Sequence, residues 1–141
     1  MTNKISCTWT EDMSFTAEVD GHTIVLDADA DSGGRDRGPR PKKLVLAALA
    51  GCTGMDTVYM LGKMKIQPAY FNVLVEGDLA EDHPKSYIQV KTRFQFAESD
   101  RQYETSIEKA VKLSQEKYCG VAAQLKAGAE VSYEIEYLEG K

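Results

Sequence analysis

Two cysteines in contrasting settings are the residues of this chain best equipped for chemistry. Cys52 lies in an apolar run that begins at Leu44, with Gly51 before it and Thr53, Gly54, Met55 and Asp56 after it. Cys119 closes a polar, charged stretch, Ser114-Gln-Glu-Lys-Tyr-Cys119, and is followed by Gly120. A fold that brings a buried helical thiol against a thiol at a helix junction creates a reactive pair, so thiol redox chemistry is the first reading. The nucleophile is the thiolate, and a thiol surrounded only by apolar side chains is inert. Cys52 therefore needs a cation or a hydrogen-bond donor. The candidates are Arg35, Arg37 and Arg40, in the glycine-rich loop ahead of its helix. Asp56, one turn on along the same face, would oppose thiolate formation unless it is paired, or would orient a neighbour. Cys119 stands where one helix ends and another starts, and a helix N-terminus stabilises an anion there by up to roughly 1 kcal/mol. Two unrelated buried cysteines are the alternative reading of the same residues.

Other chemistries find less support. Cys7 alternates with Ile5 and Trp9, which gives it the inward face of a strand and a structural role. No Cys-x-x-Cys is present, and the histidines, His22 and His83, stand alone, so the usual zinc spacings are missing. A Cys–His hydrolase would need His22 or His83 beside Cys52, and both read as turn residues. The glycines of the loop lack the lysine and hydroxyl that complete a phosphate-binding loop.

Composition narrows the partners. Acidic residues outnumber basic ones, 22 to 17, for a net charge of -5, which gives no basic face for nucleic acid. No basic amphipathic helix is present to lie on a membrane surface. Residues 1–7 lack the apolar core of a signal peptide, and the uninterrupted apolar run from Leu44 to Cys52 is about half of the ~20 residues a membrane span needs. The expectation is a soluble cytoplasmic protein, where thiols are normally reduced and a disulfide is transient and catalytic. A chain of 141 residues suits one domain, 1–141.

The elements that must position the thiols follow from periodicity. Ile5, Cys7 and Trp9, then Phe15, Ala17 and Val19, alternate as strands, and Asp20-Gly21 is a two-residue turn into Thr23–Asp27. Residues 28–41 form a loop. Pro41 suits the first position of a helix that runs to about Lys63, apolar nearly all round. A helix apolar on every side is buried on every side, and a dimer enclosing it is the simple solution, with Gly51 and Gly54 permitting close approach. Residues 70–80 and 86–97 read as strands joined by the turn Glu81–Lys85. Thr105-Ser-Ile-Glu108 matches a capping box and opens a helix whose apolar stripe is Ile107, Ala110, Val111 and Ser114. The helix runs to about Tyr118, where Cys119-Gly120 breaks it. A short helix over Val121–Leu125 and a last strand through Val131, Tyr133, Ile135 and Tyr137 complete the chain. The class is α+β, with antiparallel strands.

The stretch from Gly38 to Asp56 resembles the first cysteine motif of the OsmC/Ohr family, the osmotically inducible and organic hydroperoxide resistance proteins. Ser114 to Leu125 resembles the second. The order of elements agrees around both, so the resemblance spans essentially the whole chain. It implies an OsmC-like fold, with antiparallel sheets wrapped around two long central helices in an intertwined homodimer, and active sites at the subunit interface. It implies reduction of organic hydroperoxides, with Cys52 as the peroxidatic thiolate that becomes a sulfenic acid and Cys119 as the resolving thiol that condenses with it to a disulfide. No metal, flavin or other bound cofactor is implied. The reductant is an external dithiol, often lipoyl-linked in this family. Family peroxidases carry a glutamate where this chain has Lys42 or Lys43, and an arginine from an early strand where this chain has none. Arg37 and Arg40 are the nearest substitutes, and a lysine activates a thiolate with less directional geometry than a bidentate arginine. The wording is closer to an OsmC-like branch than to Ohr proper, which leaves a non-enzymatic thiol-redox or small-molecule binding protein on the same dimer as the alternative.

Overall fold

Alternation and turn chemistry build the first sheet. Strands β1 (Ser6–Glu11), β2 (Ser14–Val19) and β3 (His22–Leu26) form an antiparallel meander in the order β1-β2-β3. The β2–β3 turn is Asp20-Gly21, with φ of 51° and 77°, the two positive angles that a tight hairpin requires. In the computed structural model, which describes Met1–Lys141, this meander belongs to the first of two compact units, Met1–Val45 and Leu46–Lys141. Cys7 departs from expectation. It is exposed, like every residue of β1, because alternation identifies a face of an edge strand but not whether anything covers it. His22 is the first residue of β3 rather than part of the turn, and is exposed.

The loop after β3 is tightly organised. The buried Asp27 carboxylate accepts backbone N–H bonds from Ala28, Arg35 and Arg37 at 2.8, 3.2 and 3.1 Å. Burial alone would raise the Asp27 pKa, but these donors outweigh it and hold the carboxyl below its usual value. A Cβ on Gly34 would collide with the Ala28 carbonyl oxygen, so the loop closes only around glycine.

Helix α1 (Pro41–Lys63) begins at the proline. Its fully buried positions, Leu49, Thr53, Thr57 and Leu61, recur every fourth residue, the stripe of a helix laid on one surface. The all-round burial expected for this helix is not met within one chain, for Met55 is 76% exposed, Tyr59 65% and Val58 51%. By length and composition alone α1 could cross a membrane, which the count of one uninterrupted apolar run had missed.

In the second unit, β4 (Phe71–Leu79) and β5 (Tyr87–Ala97) form the expected hairpin. Strand β6 (Glu130–Leu138) pairs with β5 in parallel, with Phe94 opposite Ile135, which corrects the all-antiparallel expectation. The helical crossover between them carries the chain back to the same end of the sheet, and such a return makes a parallel pair. The fold is α+β, with one antiparallel and one mixed three-stranded sheet.

The crossover also starts earlier than the capping box suggests. A 3-10 turn, Glu98–Tyr103, runs directly into α2 (Glu104–Leu113). Thr105 is therefore inside the helix. The buried Asp100 does the anchoring instead, its carboxylate accepting from the backbone N–H of Ala69, Tyr70 and Ala97. Helix α3 (Gly120–Lys126) follows. Leu61 of α1, Phe94 and Phe96 of β5, and Ile107, Ala110 and Val111 of α2 make one core cluster. Leu49, Val90, Cys119 and Ala122 make a second, with Cys52 packed against it.

Candidate active site

The junction of α2 and α3 brings the thiols together. Between Leu113 and Cys119 the chain makes a π-helical turn, Ser114–Tyr118, closed by the Cys119 N–H bonded to the Ser114 carbonyl at 2.8 Å. Such widened turns are rare and are frequent at functional sites. Here the turn buries two consecutive residues, Ser114 and Gln115, and leaves Cys119 extended at φ -77°, ψ 101°, as the N-cap of α3. The Cys119 Sγ accepts the Ala122 N–H at 3.3 Å.

Cys52 Sγ, Cys119 Sγ and a carboxylate oxygen of Asp56 lie within 4.8 Å of one another. Cys52 is half-buried and Cys119 is 4% exposed. Burial, reinforced by the neighbouring Cys52, pushes the Cys119 thiol up to about 11 against the amide donors of α3. This overturns the expected stabilisation of its thiolate. Desolvation on a buried residue outweighs the end of a seven-residue helix.

A chain of hydrogen bonds runs behind the thiols. Gln115 Nε2 donates to Thr53 Oγ1, Thr53 Oγ1 lies 2.8 Å from Ser114 Oγ, and Ser114 Oγ donates to Asp56 Oδ2 at 3.0 Å. Ser114 has one hydroxyl proton and gives it to the carboxylate, so Thr53 must donate to Ser114. The chain is thus directional, from the Gln115 amide to the Asp56 carboxylate. Sequence reasoning placed Ser114 on the buried stripe and Asp56 beside Cys52, but did not join them, and it missed Thr53 and Gln115. The available signal was a hydroxyl on the buried face of each of two helices, since buried hydroxyls find partners. Ser114→Ala removes the middle of the chain and strands the Thr53 hydroxyl. The expected cost is about 1–3 kcal/mol, read from urea unfolding, and an unchanged midpoint would refute the assignment.

A cleft of about 490 Å³ lined by Asp56, Tyr59, Met60, Lys63, Leu113 and Tyr118 opens onto this carboxylate. Its mixed aromatic, aliphatic and charged walls suit a small organic molecule with one polar end.

The candidate cations are engaged in their own unit. Arg37 pairs with Glu11 at 3.1 Å and Asp12 at 3.8 Å, and Arg35 with Asp12 at 3.1 Å. Arg40 pairs with Asp36 at 2.7 Å. Lys42 and Lys43 occupy the first turn of α1, and His83 is exposed in the β4–β5 turn.

An α+β fold that sets two free thiols from separate helical elements side by side defines a class of thiol-bearing protein. The model of that class described as OsmC-like protein matches residues 33–134. Protein YhfA of Escherichia coli K12 is 30% identical over 129 residues, covering 91% of this chain and 92% of that protein. This chain is a member of the OsmC/Ohr family. An OsmC-like protein from Mycoplasma pneumoniae has the same fold, with a TM-score of 0.76 at 18% identity over 98% of this chain and 99% of that one. So does the organic hydroperoxide resistance protein OsmC of Legionella pneumophila, with a TM-score of 0.65 at 16% identity and 98% coverage of both chains.

Proposed function

We propose that this protein is a thiol-dependent peroxidase that reduces organic hydroperoxides. The observation that carries the reading is the convergence of Cys52 and Cys119 from α1 and the α2–α3 junction, with Asp56 beside both. The Cys52 thiolate attacks the outer peroxide oxygen and the O–O bond breaks. The leaving alkoxide takes a proton to become the alcohol, and Cys52 is left as sulfenic acid. The Cys119 sulfur then displaces hydroxide from Cys52, forming the disulfide. The Cys119 proton and the hydroxide leave as water, and the Asp56 carboxylate, no more than 4.8 Å away, offers an acceptor for that proton in transit. An external dithiol of the lipoyl kind supplies two electrons and two protons to reset the pair. The test is stoichiometric: reduced protein should consume one equivalent of cumene hydroperoxide and release one of cumyl alcohol, with continuous turnover only when a dithiol is added. Oxidation of the dithiol without alcohol release would refute it.

The second step carries a pH signature. Burial pushes the Cys119 thiol up to about 11, so it is mostly protonated near neutral pH, and attack requires the thiolate. Below that pKa the thiolate fraction grows about tenfold per pH unit. Disulfide closure should therefore accelerate steadily from pH 7 toward pH 10. Acid quenching at set times after a saturating peroxide pulse, with the disulfide counted by mass spectrometry, would measure it, and a rate independent of pH would contradict a protonated Cys119.

The same reading includes a homodimer in the cytoplasm. Its support is the uncovered apolar face of α1, which with Phe71 and Val73 of β4 lines an open groove of about 690 Å³. Val58→Glu places a charge on that face, and the dimer expected for the native chain by light scattering should fall to the 15.6 kDa monomer. An unchanged mass would place the interface elsewhere. The alternative, a non-enzymatic thiol-redox or small-molecule binding protein, draws on the pairing of Arg37 and Arg40 with carboxylates of their own unit.

A further inference from the structure

We propose that the reduced site also binds one soft divalent cation, of the zinc or cadmium kind, through Cys52 Sγ, Cys119 Sγ and an Asp56 carboxylate oxygen. The three donor atoms already lie within 4.8 Å of one another. Zinc–sulfur bonds of about 2.3 Å in a tetrahedron set two sulfurs about 3.8 Å apart and a sulfur and an oxygen about 3.5 Å apart. Closing on an ion therefore takes side-chain shifts of about an ångström. Cys52 and Asp56 are four residues apart on α1, the spacing that puts two side chains on one ligand. Cys119 comes from the α2–α3 junction, so the donors converge from two separate elements.

The surroundings fit a metal ligand set. Ser114 Oγ holds Asp56 Oδ2, and hydrogen bonds of this kind orient a ligating carboxylate. Two thiolates select zinc, cadmium or cuprous copper over magnesium and calcium. Metal binding displaces thiol protons, so the neutral Cys119 thiol is no barrier. Three protein donors leave a fourth position for water. The absence of a standard zinc spacing argued against a metal, but these donors form a Cys-x3-Asp pair completed by a distant cysteine, a pattern those spacings do not cover. A Cys52–Cys119 disulfide would consume both sulfur donors. Cation and disulfide are therefore mutually exclusive, and a bound ion would shield the reduced pair from oxidants.

The test is a titration of the full chain, reduced and without oxygen, with cadmium followed by its thiolate charge-transfer absorption and with zinc against a chromophoric chelator. The expected result is one ion per chain. Cys7→Ser should bind unchanged. Asp56→Asn should weaken binding by about tenfold or more, and Cys119→Ser more than that. Protein oxidised with diamide should bind none. Should Cys119→Ser fold poorly, iodoacetamide labelling of the native chain decides the matter: zinc should protect the half-buried Cys52 while the exposed Cys7 is still alkylated. No bound ion, binding abolished by Cys7→Ser, affinity unchanged in Asp56→Asn, or an unprotected Cys52 would each overturn the assignment. None of these readouts requires peroxide turnover, so loss of the peroxidase reading would leave this one standing.

Discussion

Cys52→Ser should remove hydroperoxide reduction altogether. A serine hydroxyl is not ionised at neutral pH and forms no sulfenic acid, so neither the first oxygen transfer nor the disulfide can occur. The expected fall in dithiol-coupled consumption of cumene hydroperoxide is on the order of a thousandfold or more, as for loss of a nucleophile. Oxygen replaces sulfur at nearly constant shape in a half-buried position, so thermal stability should change little and folding would not explain the loss. Cys119→Ser should differ in kind. It should complete the first oxygen transfer, accumulate the sulfenic acid at Cys52, trappable by a dione reagent, and then stall or over-oxidise. A Cys52→Ser protein that retained a tenth of the native rate would exclude Cys52 as the nucleophile.

Phe94→Ala should produce the largest loss of stability. Phe94 is fully buried, stacked with Phe71 at 6.4 Å and edge-on to Tyr133 at 6.0 Å. Its cluster includes Leu61 of α1 and Ile107, Ala110 and Val111 of α2. It therefore fastens to the sheet both helices that carry the thiol site. Truncation loses the transfer energy of the ring and leaves a cavity, together about 3–5 kcal/mol. Against a total stability of roughly 5–15 kcal/mol, that is a large fraction. Urea unfolding should show the midpoint falling with little change in slope. A loss under about 1 kcal/mol would mean that Phe94 is not central to the core.

Much of this fold was legible because local rules and the tertiary structure agree. Pro41 starts α1, Asp20-Gly21 makes its hairpin turn, and the stripe Ile107, Ala110 and Val111 is buried as its spacing requires. Where a longer-range fact decides, periodicity failed. The direction of β6 depends on where the α2–α3 crossover returns the chain. The start of α2 depends on a 3-10 turn pinned by Asp100, which no capping rule includes. Cys7 sits on a strand face whose cover cannot be read from alternation.

The site divides in the same way. Two cysteines in contrasting settings were visible, and their convergence needed the fold. The network from Gln115 through Thr53 and Ser114 to Asp56 escaped because its members come from two helices far apart in the chain. The π turn escaped because nothing in Ser114–Tyr118 announces an extra residue per turn. The direction of the Cys119 pKa was misjudged for one reason. The helix end is a local feature, whereas burial among Leu49, Val90 and Ala122 is set by packing.

The most direct measurement mixes the reduced protein with one equivalent of cumene hydroperoxide and maps the resulting disulfides by mass spectrometry. The proposed function requires rapid formation of a Cys52–Cys119 bond within one chain, absent in Cys52→Ser, with Cys7 left as a free thiol. No oxidation, or slow oxidation spread over all three cysteines, would contradict it.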